Sequence, residues 1–75
     1  MFITLTNLGG RKVRINTDQI IRYSTGDNTY PDIDSDKYIA VTDVVTIDRI
    51  LLVKESPEQI DEILRTSYIT VYERK

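Results

Sequence analysis

The sequence predicts an α+β fold, a small and mostly antiparallel sheet of four to five strands with one C-terminal helix packed on it, all in a single domain spanning residues 1–75. Three observations predict it. Apolar and polar residues alternate on either side of a Gly-Gly pair near the start, and β-prone runs separated by short breaks fill the chain as far as Val53. Then residues 51–64, Leu-Leu-Val-Lys-Glu-Ser-Pro-Glu-Gln-Ile-Asp-Glu-Ile-Leu, turn from a strand pattern into a capped helix.

In residues 2–6, Ile3 and Leu5 share one face and Phe2, Thr4 and Thr6 the other, as in a half-buried strand. Gly9-Gly10 takes positive φ without penalty, which sets up a hairpin into residues 11–16 with Val13 and Ile15 inward and Lys12 and Arg14 outward. Asn16-Thr17-Asp18 supplies turn or capping side chains, and residues 19–25 read as a third strand, with a single helical turn at 17–20 as the alternative. Residues 26–36 are dense in turn formers and acid, and Pro31 lacks a ladder donor, so an exposed loop is expected there. Residues 37–42 recover β character. A further β run over 44–53 is interrupted at Asp48-Arg49, as one bent strand or a strand with a bulge, and tight pairing around Asp43 would make a second hairpin.

The helix start is the best-marked boundary. Ser56 can accept from free first-turn amides, Pro57 stands where no donor is needed, and Gln59 completes a capping box. Glu58, Asp61 and Glu62 lie near the positive end of the helix dipole, and Ile60, Ile63, Leu64 and Tyr68 recur on one face. A helix ending near Ser67 is expected, followed by a last strand over 68–73. A helix continued through those residues is the competing form.

Composition narrows the function classes. At 75 residues a single core is marginal, which leaves a homo-oligomer open. With neither Cys nor His, disulfides, Cys/His zinc sites and a nucleophile activated by His are all ruled out. No phosphate-cradling glycine loop or Gly-x-Ser-x-Gly turn occurs, so the reading is not an enzyme, with no catalytic residue and no cofactor. The start, Met-Phe-Ile-Thr-Leu-Thr, has neither the basic flank nor the apolar run of a leader, and no segment is apolar enough to span a bilayer. The expectation is a soluble, cytoplasmic protein without a membrane partner.

The net charge of −2 hides an uneven distribution. Arg11, Lys12, Arg14 and Arg22 stand against Asp18 alone in the first third. Asp27, Asp32, Asp34, Asp36, Asp43 and Asp48 face only Lys37 in the middle. An acidic middle disfavours general nucleic-acid binding. It favours a protein partner, met by the loop residues Tyr30, Asp32, Asp34, Asp36 and Tyr38, since tyrosine brings contact area at low entropy cost and the acids steer a basic surface. Lys12, Arg14 and Arg22 form the candidate set for a small anionic ligand such as a nucleotide.

The spacing Asp32-x-Asp34-x-Asp36 resembles part of a calcium-binding EF-hand loop, but Lys37 stands where the turn wants Gly and Asp43 where a bidentate Glu is needed. A solvated acidic loop without metal is the expectation. Two longer segments, Ile3-Thr4-Leu5-Thr6-Asn7-Leu8-Gly9-Gly10 continuing to Ile15-Asn16-Thr17-Asp18-Gln19-Ile20-Ile21, and Leu52-Val53-Lys54-Glu55-Ser56-Pro57-Glu58-Gln59-Ile60, resemble the FlbD group of flagellar and swarming-motility proteins and similar small phage and prophage proteins. The resemblance covers about half the chain. It implies a small sheet followed by a helix at Val-Lys-Glu-Ser-Pro-Glu and supplies no catalytic residue. Its flagellar members imply a regulator of flagellar function, and its phage members a regulator or inhibitor directed at a host protein. The acidic middle segment departs from the flagellar pattern.

Overall fold

A computed structural model describes residues 1–72, with side chains as far as Ser67. The elements follow in the order β1 (Phe2–Thr6), β2 (Lys12–Asn16), a 3₁₀ turn (Thr17–Gln19), β3 (Ile20–Pro31), β4 (Tyr38–Thr46), β5 (Ile50–Val53) and α1 (Pro57–Tyr72). β1 and β2 form one antiparallel sheet, and β3, β4 and β5 form another in that spatial order. The sheets meet where Asn7 bridges to Val53 and the Lys54 amide donates to the Thr6 carbonyl at 2.8 Å, which lays β1 beside β5. The helix rests against β1 and β3.

The alternation in β1 and β2 works as the period of two requires. Ile3 pairs with Ile15 and Leu5 with Val13, turning one apolar face toward the helix. The intervening turn places Gly10 at φ 82°, a conformation that strains any residue with a Cβ. Ile3, Leu5 and Ile15 join Val44, Val53 and Ile60 in a buried core, edged by Val13, Ile20, Tyr23, Leu51, Ile63 and Leu64. The capping box forms as expected: the Gln59 amide donates to Ser56 Oγ at 3.1 Å, and the Ser56 amide donates to Gln59 Oε1 at 2.8 Å. At 17–20 both readings hold in part, because Asn16 Oδ1 caps a 3₁₀ turn and the strand begins directly after it at Ile20.

Three expectations for the strands are corrected. The exposed loop expected over 26–36 is confined to 32–37, since β3 continues to Pro31 and pairs Thr29 with Ala40, Tyr30 with Ile39 and Pro31 with Tyr38. Gly26, Asp27 and Asn28 sit in a register shift between Thr25 and Thr29, so their turn-forming character is spent in a bulge rather than a reversal. Asp43 does not head a hairpin. It pairs mid-strand between Ser24 and Leu52, and the reversal falls at 47–49, where the Thr46 amide donates to the Arg49 carbonyl at 2.8 Å and the Arg49 amide to Thr46 Oγ1 at 3.2 Å. Residues 44–53 are accordingly two strands rather than one bent one.

The helix does not stop near Ser67 but continues to Tyr72, with no strand over 68–72. No Gly or Pro follows Pro57 to end it, and the penalty for β-branched and aromatic residues in a helix is below about 0.7 kcal/mol each. Glu73 and the side chains of Tyr68 and Tyr72, which the sequence assigns to a last strand or to the apolar stripe, lie outside the described residues. Among the described residues, no helix is long and apolar enough to cross a membrane.

Candidate functional site

The long β3–β4 hairpin outruns β5, whose last pair is Val53 with Thr42, and ends in the loop 32–37. That loop is tightly organised around Asp32. Its amide donates to the Lys37 carbonyl at 2.7 Å, and its own carbonyl accepts from the Asp36 amide at 3.1 Å. Its carboxylate accepts from the Asp34 amide at 3.2 Å and the Ser35 hydroxyl at 3.0 Å. Asp36 takes φ 58°, a left-handed position that Asp and Asn tolerate better than most side chains.

A single cation fixes this loop to the body of the protein. Lys54, at the end of β5, places Nζ 2.7 Å from Asp32 Oδ1 and 3.2 Å from Asp34 Oδ2. The Lys54 and Asp32 side chains are only 18% and 17% exposed. The lysine ammonium, helped by the Asp34 amide and the Ser35 hydroxyl, holds the Asp32 carboxyl below its ordinary pKa, and the two carboxylates raise that of Lys54. The Asp-x-Asp spacing therefore serves an internal ammonium. Among the described residues, no group of three or more carboxylates converges as a metal site.

Neighbouring residues continue the attachment. Glu55 receives the Thr6 amide and the Thr6 hydroxyl, each at 2.8 Å, on its two carboxylate oxygens, and Lys12 Nζ donates to Thr6 Oγ1 at 3.1 Å. The Thr42 hydroxyl donates to the Glu55 carbonyl. On β3, the Tyr23 hydroxyl donates to Asp61 Oδ1, which raises the pKa of the tyrosine and ties the helix to the sheet.

Five residues were expected to form one partner-binding set, and the structure divides them. Asp32 is drawn inward, while Asp34 (75% exposed at its side chain) and Asp36 remain in the open. Tyr38 is 72% exposed, but Tyr30 is half-buried and lies on the opposite face of the hairpin, because it pairs with Ile39 one position along from the Pro31–Tyr38 pair. The residue missed by the sequence reading is Ile33, 66% exposed between the two tethered aspartates. Its signal was available: it is the lone apolar side chain in an acidic run.

The cationic set is also divided. Arg14 lies over the Phe2 ring, 6.0 Å from its centroid, and lines a groove of about 350 Å³ together with Val13, Ile15, Leu51 and Arg49. Lys12 borders a different hollow beside Lys54 and Glu55, and Arg22 projects from β3 opposite Val45, away from both. Arg49, absent from the sequence-based set, also lines the groove, where it is 3.5 Å from Asp48, a further lining residue.

The geometry defines a small α+β protein with a braced, partly apolar hairpin end and an arginine-lined groove. The chain matches no known protein family, no curated protein and no solved structure.

Proposed function

We propose that the protein is a non-enzymatic binding module that occupies a protein partner stoichiometrically through the end of its β3–β4 hairpin. The observation that carries this reading is the exposure of Ile33, at 66%, on a loop held by the Asp32–Lys54 pair, and of Tyr38, at 72%, where β4 leaves that loop. An apolar side chain displayed on a preorganised loop lowers the entropic cost of docking, and an exposed Tyr at the start of the next strand suits a contact surface. Asp34 and Asp36 at the margin favour a partner with a basic rim. A regulator or inhibitor of a host protein, as the phage-like resemblance implies, fits this mode of action.

The test is an affinity capture followed by titration of the purified captured protein. Binding should saturate at a fixed ratio and weaken at least tenfold in an Ile33→Ser, Tyr38→Ser double variant whose circular dichroism is unchanged. Equal affinity in that variant would remove the hairpin end from the account.

A second reading is favoured by the groove that Arg14 lines with Phe2 and with Arg49, itself paired with Asp48: sequestration of a small planar anion such as a nucleotide. Calorimetric titration with nucleoside phosphates should then release or absorb heat in the wild type and not in Arg14→Ala.

A further inference from the structure

The outer face of the β3–β4–β5 sheet, turned away from the helix, bears a pattern that the hairpin end does not explain. In a sheet with one face to solvent, strands alternate apolar and polar. β5 reads Ile-Leu-Leu-Val without alternation. The register places Arg22, Val45 and Ile50 on one rung of the outer face and Ser24, Asp43 and Leu52 on the next. Ile50 is 62% exposed, and at the same end of the sheet Ile21 and Ile47 are 65% and 70% exposed, Ile21 in the register shift beside Arg22 and Ile47 in the turn after β4. Three exposed isoleucines at one end of a sheet, with half-buried Val45 and Leu52 on the adjoining rungs, are the kind of apolar surface that marks an interface.

Two opposite charges flank it. Arg22 lies on β3 in one rung and Asp43 on β4 in the other, and among the described residues neither makes an ion pair or a hydrogen bond through its side chain. A face that carries one cation and one anion on neighbouring rungs, with apolar residues to one side of them, can complement itself. A two-fold axis in the plane of the sheet that exchanges Arg22 with Asp43 sets each arginine on the aspartate of the other copy. With strands about 4.8 Å apart, the same axis passes close to Val45 and Ile50, which then meet their own copies. We infer that this face is the interface of a homodimer, with a second copy of this chain as its occupant. Association also suits a chain of 75 residues, whose single core is small. The hairpin ends stay clear of the contact, so a dimer presents two of them, and the inference stands whether or not they bind a partner.

Sedimentation velocity over a range of concentrations tests it. The wild type should sediment at twice the chain mass, whereas Arg22→Glu and Asp43→Lys should each require at least tenfold higher concentration to do so, because each places like charges across the axis twice. Mixed in equal amounts, these two variants should recover the dimer mass, since each supplies the charge that the other lacks. A folding defect would not be repaired by mixing. Ile50→Glu, a change at an exposed position, should give a monomer with unchanged helical circular dichroism and guards against failure of either charge variant to fold. A wild type that stays monomeric at several hundred micromolar, dimeric Ile50→Glu, or folded charge variants that do not pair on mixing would each overturn the inference.

Discussion

Asp32 and Lys54 are the residues on which the hairpin end depends. Their pairing predicts a pH dependence whose sign follows from the displaced pKa values. For Asp32 the folded value lies below the unfolded one, so its stabilisation is complete above the ordinary aspartate range near pH 4 and is lost as the pH falls through the folded value. For Lys54 the folded value is raised, so its contribution is complete below about pH 10 and is lost as the pH rises through it. Asp32→Asn should therefore lower the thermal midpoint at pH 7 and flatten its decline below about pH 4. Asp27→Asn, at an exposed position with no ion pair among the described residues, should leave both unchanged. Calorimetric scans across pH check this. The sequence showed the Asp-x-Asp spacing but not its occupant, because Lys54 is 22 positions away from Asp32 and only the fold brings them together.

Among the elements, the helix start was the most legible, because a capping box is written within four consecutive residues and needs no distant partner. Ser56→Ala should cost about 1 kcal/mol in urea denaturation, with Gln59→Ala costing less because Ser56 Oγ still receives its amide. The strand boundaries were less legible for the opposite reason. Residues 26–31 look like loop on their own composition, yet the ladder to β4 holds 29–31 extended and absorbs Gly26, Asp27 and Asn28 as a bulge. A Cβ at Gly26 would lie 2.9 Å from Asp43 Oδ1 and 3.3 Å from the Val41 carbonyl oxygen, so the glycine sits where β4 approaches closely and not at a chain reversal. Asp43 looked like a turn for similar reasons. Its β-branched neighbours Thr42 and Val44 are both buried, and they keep the strand running past it.

At the scale of the whole molecule, the α+β class and the inward faces of β1, β2 and α1 followed from periodicity, since each apolar stripe had to be covered by another element. What periodicity does not contain is the joining of units across the chain. That work is concentrated in Lys54, Glu55 and Ser56, which in turn hold the acidic loop, the first hairpin and the first turn of the helix. Three neighbouring residues thus form a three-way junction in a body 44 Å long. A load applied at the loop is shared: part of it passes through the lysine to the adjoining glutamate and serine, so a force that twists the loop bears also on the threonine clamp and the helix cap.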